Sequence, residues 1–425
     1  MFYFEIEGGN KLSGNIKIPG AKNASLPMLC AALLTDEKCT FHSVPKIADV
    51  ETLLDIFEEI GVSVKRNWDK RIIEVRARKI DTHKLAQCEQ LRKIRASILM
   101  LGPILAREKK CEIFSPGGCV IGVRSHEIHT DGFEVLGATL LQDGEKISLK
   151  IDPNVTGRNR ILLSEASVTG TENLAMFLAG QENRKAEIYF SASEPHVCAT
   201  LQMLKKMGAS IEGIGTHHLT IVGTKYLRGG DFKIPPDGIL VGTYAIAGVL
   251  TNSEIEIENV DHRELFSFYG CLRRIGGEFE MKKNVLRILP HGKLKAISKI
   301  QTAIYPGFST DLQSPFGVLL TQCEGDSVLF ETLFENRLSY LHELEKMGAD
   351  IHILNAHQAR ISGPTVFRGA EVQSWDLRAG AAVVLAGLIA EGKTKVTNIQ
   401  YIDRGYENFV ENLQFLGAKI KRVKQ

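Results

Sequence analysis

The sequence predicts a two-domain α/β protein in which each domain repeats one mixed α/β unit three times, with helices buried inside and sheets outside. Three observations carry this. A helix-stop-strand phrase recurs six times, six wholly apolar segments alternate with it, and 425 residues exceed what one hydrophobic core ordinarily holds.

The phrase reads FEEIGVSVKR, FEVLGATLLQ, LKKMGASIEG, LRRIGGEFEM, LEKMGADIHI and LQFLGAKIKR. Its shared glycines are Gly61, Gly137, Gly208, Gly276, Gly348 and Gly417, spaced 76, 71, 68, 72 and 69 residues apart. Each copy has an amphipathic helix, a glycine able to take the left-handed conformation that closes a helix, and alternating residues that read as a strand.

The second helix of each unit is apolar nearly all round: ASLPMLCAALL, ASILMLGPILA, ENLAMFLAG, GTYAIAGVL, DLQSPFGVLL and AGAAVVLAGLIA. A helix without a polar face must be buried on every side. Polar turns and strands follow, as in TDEKCTFHSV, NRKAEIYFSA, TNSEIEIENV and EGKTKVTNI. Three units suffice to enclose their apolar helices with sheets, which reverses the usual layering of helices over a central sheet.

Composition narrows the function. Hydrophobic residues make up 44% and charged residues 24%, and the formal net charge is only +2, without a run of five or six like charges. That excludes the electrostatic footprint of a nucleic-acid binder. No stretch approaches eighteen apolar residues, and the opening MFYFEIEGGNKLSG lacks a basic region followed by an apolar one, so a cytoplasmic protein without membrane attachment is expected. Eight cysteines without a C-x-x-C pair suit a reducing compartment. HEIH is not H-E-x-x-H, and GGCVIG is neither a phosphate-binding P-loop nor a dinucleotide fingerprint, so neither a metal nor a cofactor is predicted.

Polar residues stand where each apolar helix begins: Lys22 and Asn23, Arg95, Ser167 to Asn173, Asp237, Thr310 and Asp311, and Asp376 with Arg378. Ser167, Thr310, Asp311 and Asp376 are ordinary N-cap types. Lys22, Arg95 and Arg378 are not, because a cation at a helix N-terminus opposes the dipole and asks for an anion. With Arg124 and Arg404 beside turns, they suit a small phosphate or carboxylate ligand. Asp311 is a candidate general base. Cys119 lies in SPGGCVIG, a Gly-rich turn with Arg124 five residues on, where cations would lower a thiol pKa; that fits an acid or nucleophile on a closing lid.

PGAKNASLP, RASI, PGGCVIGVR, FSTDLQ, LFENR, WDLRAGAAVVLAGLIAEG and YIDRGYE, in this order along the full length, closely resemble the bacterial UDP-N-acetylglucosamine enolpyruvyl transferase family. The resemblance implies a two-domain inside-out α/β barrel. Residues 22–235 would be the catalytic domain with the Cys119 loop, and residues 1–21 plus 236–425 the second domain. The two chain crossings, near Gly20 and Pro235, would be a hinge, with the active site in the interdomain cleft. It implies addition of phosphoenolpyruvate to the 3-hydroxyl of UDP-N-acetylglucosamine and loss of phosphate from a tetrahedral ketal. Lys22, Arg124 and Arg404 would hold phosphoenolpyruvate, Cys119 would be the lid acid, and Asp311 would take the hydroxyl proton. Asn23, Arg95, Ser167, Val168, Asp311, Leu333 and Phe334 would line the sugar-nucleotide site, with Asp376, Leu377 and Arg378 opposite. A monomer without cofactor is expected.

The pattern is departed from at Ser193 to His196 (SEPH for REPE), Asp237 to Thr243 (PDGILVGT for PDRIETGT), Arg124 to His129 (RSHEIH for RPVDLH) and in SVTGTEN for SVGATEN. These changes bear on the acceptor more than on phosphoenolpyruvate. A different nucleotide-sugar acceptor and a non-catalytic regulatory paralogue are the alternatives.

Overall fold

The computed structural model describes residues 2–117, 122, 126–142, 144–152, 155 and 157–424. Their contacts divide them into two units, residues 20–117 with 126–235, here the middle unit, and residues 2–19 with 122 and 236–424, the terminal unit. Each unit has its own hydrophobic core.

Each unit carries three sheets. Five of the six have the same four-strand plan, one parallel pair followed by two antiparallel ones, as in Lys299–Gln301, Gly325–Phe330, Gln358–Gly363 and Asp350–Asn355. Among the described residues the sixth, Lys110–Phe114, Lys146–Ile151 and Ala138–Gln142, has the two antiparallel pairs only. The predicted strands after the apolar segments are Cys39–His42, Lys185–Tyr189, Glu254–Glu258 and Lys393–Thr397. All six repeat glycines have positive φ, from 88° to 125°. An L side chain there would be strained, which is why the helix-stop residue recurs as glycine.

The apolar segments form the core helices. In the middle unit these are Lys22–Ala31, Leu101–Glu108 and Val168–Ala179, and in the terminal unit Gly238–Leu250, Gln313–Leu320 and Leu377–Ile389. Every residue of Gln313–Leu320 is buried. Two of the six open with a 3-10 turn, Arg95–Met100 and Thr310–Leu312, and both carry a proline at their third α-helical position, Pro103 and Pro315. Proline has no N–H to give the carbonyl four residues earlier, so the preceding turn tightens. Small residues let these helices approach closely. A Cβ on Gly102 would lie 2.2 Å from the Asn173 carbonyl oxygen.

Strand pairing shows where the chain changes unit. Around three core helices, the strand before the helix pairs in parallel with the strand after it, as Glu371–Gln373 does with Lys393–Thr397. At Lys22–Ala31 the pattern is exchanged: the preceding strand Ser13–Lys17 pairs with Glu254–Glu258, and Gly230–Lys233 takes its place beside Cys39–His42. The chain therefore passes between units after Pro19 and after Pro235. Backbone bonds brace both passages, Asp237 N to Pro19 O at 3.1 Å and Ala21 N to Pro235 O at 2.7 Å.

Candidate functional site

The polar residues that open the core helices have different employments. Asp237 and Asp376 are caps: Asp237 accepts from the amides of Ile239 and Leu240, and Asp376 from those of Arg378 and Ala379. Ser167 likewise caps Gly170. For these three, helix capping accounts for the residue type.

Asp311 is not a cap. Ser309 takes that role, its hydroxyl accepting from the Asp311 amide at 3.3 Å. The Asp311 carboxylate is then available to two arginines: Oδ1 accepts from Arg337 Nη2 at 2.7 Å, and Oδ2 from Arg378 Nε and Nη2 at 3.3 and 3.1 Å. Arg378 and Arg337 are 1% and 3% exposed, whereas the Asp311 side chain keeps 23% of its surface. Burial alone would raise the Asp311 pKa, but Arg378 and Arg337 outweigh it and hold the carboxyl well below the usual range. Arg378 lies over the Tyr406 ring at 5.4 Å, and the Tyr406 hydroxyl is 3.2 Å from that of Thr243. Arg337 lies over Phe334 at 5.6 Å; Leu333 beside it is exposed, and Leu377 and Arg404 are half-buried.

In the middle unit Lys22 is the first residue of its helix, and its Nζ lies 2.8 Å from Asp49 Oδ2, both side chains being buried. Thus two of the three cations that the sequence pairs with an external anion, Lys22 and Arg378, have carboxylates of the chain itself beside them. Asn23, Arg95 and Val168 are half-buried at their helix starts. Behind Arg95 lies a buried polar chain: the Asn173 amide donates to Ile98 O and to His129 Nδ1, its oxygen accepts from Gly102 N, and His129 Nε2 faces the Thr169 hydroxyl at 3.2 Å. Burial first, then Arg95 and His126, push the His129 pKa down to about 3, so the imidazole is neutral.

Cys119 and Arg124 lie outside the described residues. The other seven cysteines are free thiols. Burial pushes Cys88 up to about 11 and Cys39 and Cys323 up to about 12, far from thiolate formation at neutral pH. Sequence reasoning missed the parts played by Arg337, Asp49 and His129. Arg337 stood inside the LFENR motif and His129 inside HEIH, while Asp49 carries no local signal that separates it from a surface or core residue.

The model of the EPSP synthase (3-phosphoshikimate 1-carboxyvinyltransferase) family matches residues 6–413. UDP-N-acetylglucosamine 1-carboxyvinyltransferase of Helicobacter hepaticus is 40% identical over 426 residues, covering all of both chains, and that of Halothermothrix orenii is 41% identical over 99% of each. The chain belongs to the UDP-N-acetylglucosamine 1-carboxyvinyltransferase family. It is accordingly a transferase. Among solved structures, the enolpyruvyl transferase NikO from Streptomyces tendae superposes with a TM-score of 0.86 at 23% identity, covering 99% of this chain and 98% of that one. EPSP synthase from Acinetobacter baumannii gives 0.77 at 17% identity over the whole of both chains. These two likenesses concern the fold, the two-domain α/β architecture of enolpyruvyl transferases. One departure from the family pattern has a visible counterpart: at Gly238, where the pattern has arginine, a Cβ would lie 2.9 Å from Glu264 Oε2. No helix among the described residues is long and apolar enough to cross a membrane.

Proposed function

We propose that the chain transfers the enolpyruvyl group of phosphoenolpyruvate to the 3-hydroxyl of UDP-N-acetylglucosamine and releases phosphate, the first committed step of peptidoglycan precursor synthesis. The observation that carries this reading is Asp311, a partly exposed carboxylate at a helix start that two buried arginines keep ionised, in a chain 40% identical to enzymes of that name from end to end.

An acid protonates the methylene carbon of phosphoenolpyruvate and leaves an oxocarbenium-like C2. The sugar 3-hydroxyl oxygen bonds to C2 and gives up its proton, forming the tetrahedral ketal. Loss of a methyl proton and cleavage of the C2–O(phosphate) bond then restore the enol ether and free phosphate. Cys119 supplies the acid, Asp311 accepts the hydroxyl proton, and Lys22, Arg124 and Arg404 hold the phosphate and carboxylate of the donor. Asn23, Arg95, Ser167, Val168, Leu333 and Phe334 hold the sugar nucleotide, with Asp376, Leu377 and Arg378 lining the same site.

Arg337 and Arg378 favour the ionised form of Asp311, which bears on when it takes the proton. A carboxylate so stabilised is a poor base toward an ordinary alcohol, and takes the proton only as the oxygen bonds to the cationic carbon, whose charge the same carboxylate stabilises. The chain acts in the cytoplasm as a monomer and draws on no metal or cofactor. The test is phosphate release from phosphoenolpyruvate with and without UDP-N-acetylglucosamine, in the native chain and in Cys119→Ala. Release that requires the sugar nucleotide and collapses in the variant supports the reading. Binding of the sugar nucleotide without release from the native chain overturns it.

A further inference from the structure

We propose that Glu331 is a positioning residue for this reaction, setting the Asp311 turn and the Leu333 backbone against one another; the inference rests on the function proposed above. Glu331 is fully buried just past the strand Gly325–Phe330. Its carboxylate takes three donors from three segments of the terminal unit. Oε1 accepts from the Thr302 hydroxyl at 3.0 Å and from the Leu333 amide at 2.9 Å, and Oε2 accepts from the Thr310 hydroxyl at 2.8 Å. Thr310 precedes Asp311 in the 3-10 turn, and Leu333 is one of the residues assigned to the sugar nucleotide.

A carboxylate offers acceptors only, so both threonine hydroxyls must point their protons at it. That leaves a lone pair of the Thr302 oxygen to accept from the Thr332 amide at 2.9 Å, and the Thr332 hydroxyl closes the loop on Thr302 O at 2.7 Å. The main chain of Glu331 is pinned as well, its amide donating to His357 O and its carbonyl facing His357 Nδ1, each at 2.8 Å. No ion pair to Glu331 is formed among the described residues, although its charge favours the ionised form of Arg337; its direct partners are the two hydroxyls and the amide. A glutamine has one acceptor oxygen for three donors, and its NH2 group must face at least one of them.

The test is steady-state phosphate release by the full chain, well below its unfolding temperature, for Glu331→Gln and Thr310→Val. A reacting group displaced by ~1 Å can cost about 100-fold, and a loosened anchor is expected to cost about tenfold. Glu331→Gln should lower kcat and raise KM for UDP-N-acetylglucosamine by that factor, with KM for phosphoenolpyruvate within about twofold, because Lys22 and Arg404 are carried by other segments. Thr310→Val, which frees only the Asp311 turn, should lower kcat alone. Both constants of Glu331→Gln within twofold of the native values, or an equal rise in both KM values, overturns the proposal. If Glu331→Gln does not fold, an unchanged kcat in Thr310→Val overturns it. Failure of the native chain to release phosphate would instead sink the function on which this rests.

Discussion

Replacing Asp311 by asparagine keeps the shape of the side chain and removes its charge. In the native chain Oδ1 is 2.7 Å from Arg337 Nη2, and Oδ2 takes two nitrogens of Arg378. The asparagine oxygen can still accept from one guanidinium, but its NH2 then faces the other, which has no acceptor to offer. Hydrogen bonds to charged groups contribute about 1.5–3 kcal/mol each, and breaking a buried pair costs about 3–5 kcal/mol. With 23% of the Asp311 side chain open to water, solvent recovers part of that, so a loss of about 2–3 kcal/mol is expected. Urea denaturation at pH 7 and at acid pH measures it. Because the folded pKa is depressed, the stabilisation is complete above the unfolded value of about 3.9 and is lost as pH falls below it toward the folded value. Asp311→Asn should therefore also flatten the acid limb of the stability profile. A loss under about 0.5 kcal/mol with the acid limb unchanged would refute the view that this carboxylate is held by, and holds, two buried arginines.

Glu264 gives the opposite sign: burial, with Asp237 and Asp261 nearby, raises its pKa to about 8, so its contribution is complete below the unfolded value of about 4.3 and is lost progressively as pH rises to about 8; Glu264→Gln should flatten the fall in stability up to about pH 8 in a denaturation series from pH 5 to 9. Gly102→Ala would drive a Cβ to 2.2 Å from the Asn173 carbonyl oxygen and should cost about 1–3 kcal/mol as overpacking, read from the urea midpoint; a neutral effect would mean that the core helices slide apart freely. Fosfomycin at neutral pH should alkylate Cys119 ahead of the other seven thiols, as mass spectrometry of the digested chain would report, since burial holds Cys39, Cys88 and Cys323 far above neutral; modification of those thiols with Cys119 spared would contradict it.

The repeat was legible because it rests on local physics. A helix that must stop uses a residue that tolerates positive φ, and a helix enclosed by sheets has no polar face, so Gly61 and its five counterparts and the six apolar segments are visible one window at a time. The polar residues at the helix starts were equally visible as positions. Their employment was not, since aspartate at a helix start is the same letter whether it caps, as Asp237 and Asp376 do, or holds two arginines, as Asp311 does. That depends on whether a neighbour such as Ser309 has already taken the cap, and on which guanidinium groups other segments bring within hydrogen-bond reach. Glu331 and Arg337 are 20 and 26 residues from Asp311, a separation with no local periodicity to betray it. The crossings near Gly20 and Pro235 were implied by the family resemblance and not by periodicity: Ser13–Lys17 and Gly230–Lys233 satisfy the same alternating pattern, and only the hydrogen-bonding edge available in the folded chain chooses between them. The sequence alone thus determined the units, their count and the sites where chemistry could stand. The tertiary structure decided which charges meet, because a charge is assigned its partner by packing and not by its place in the chain.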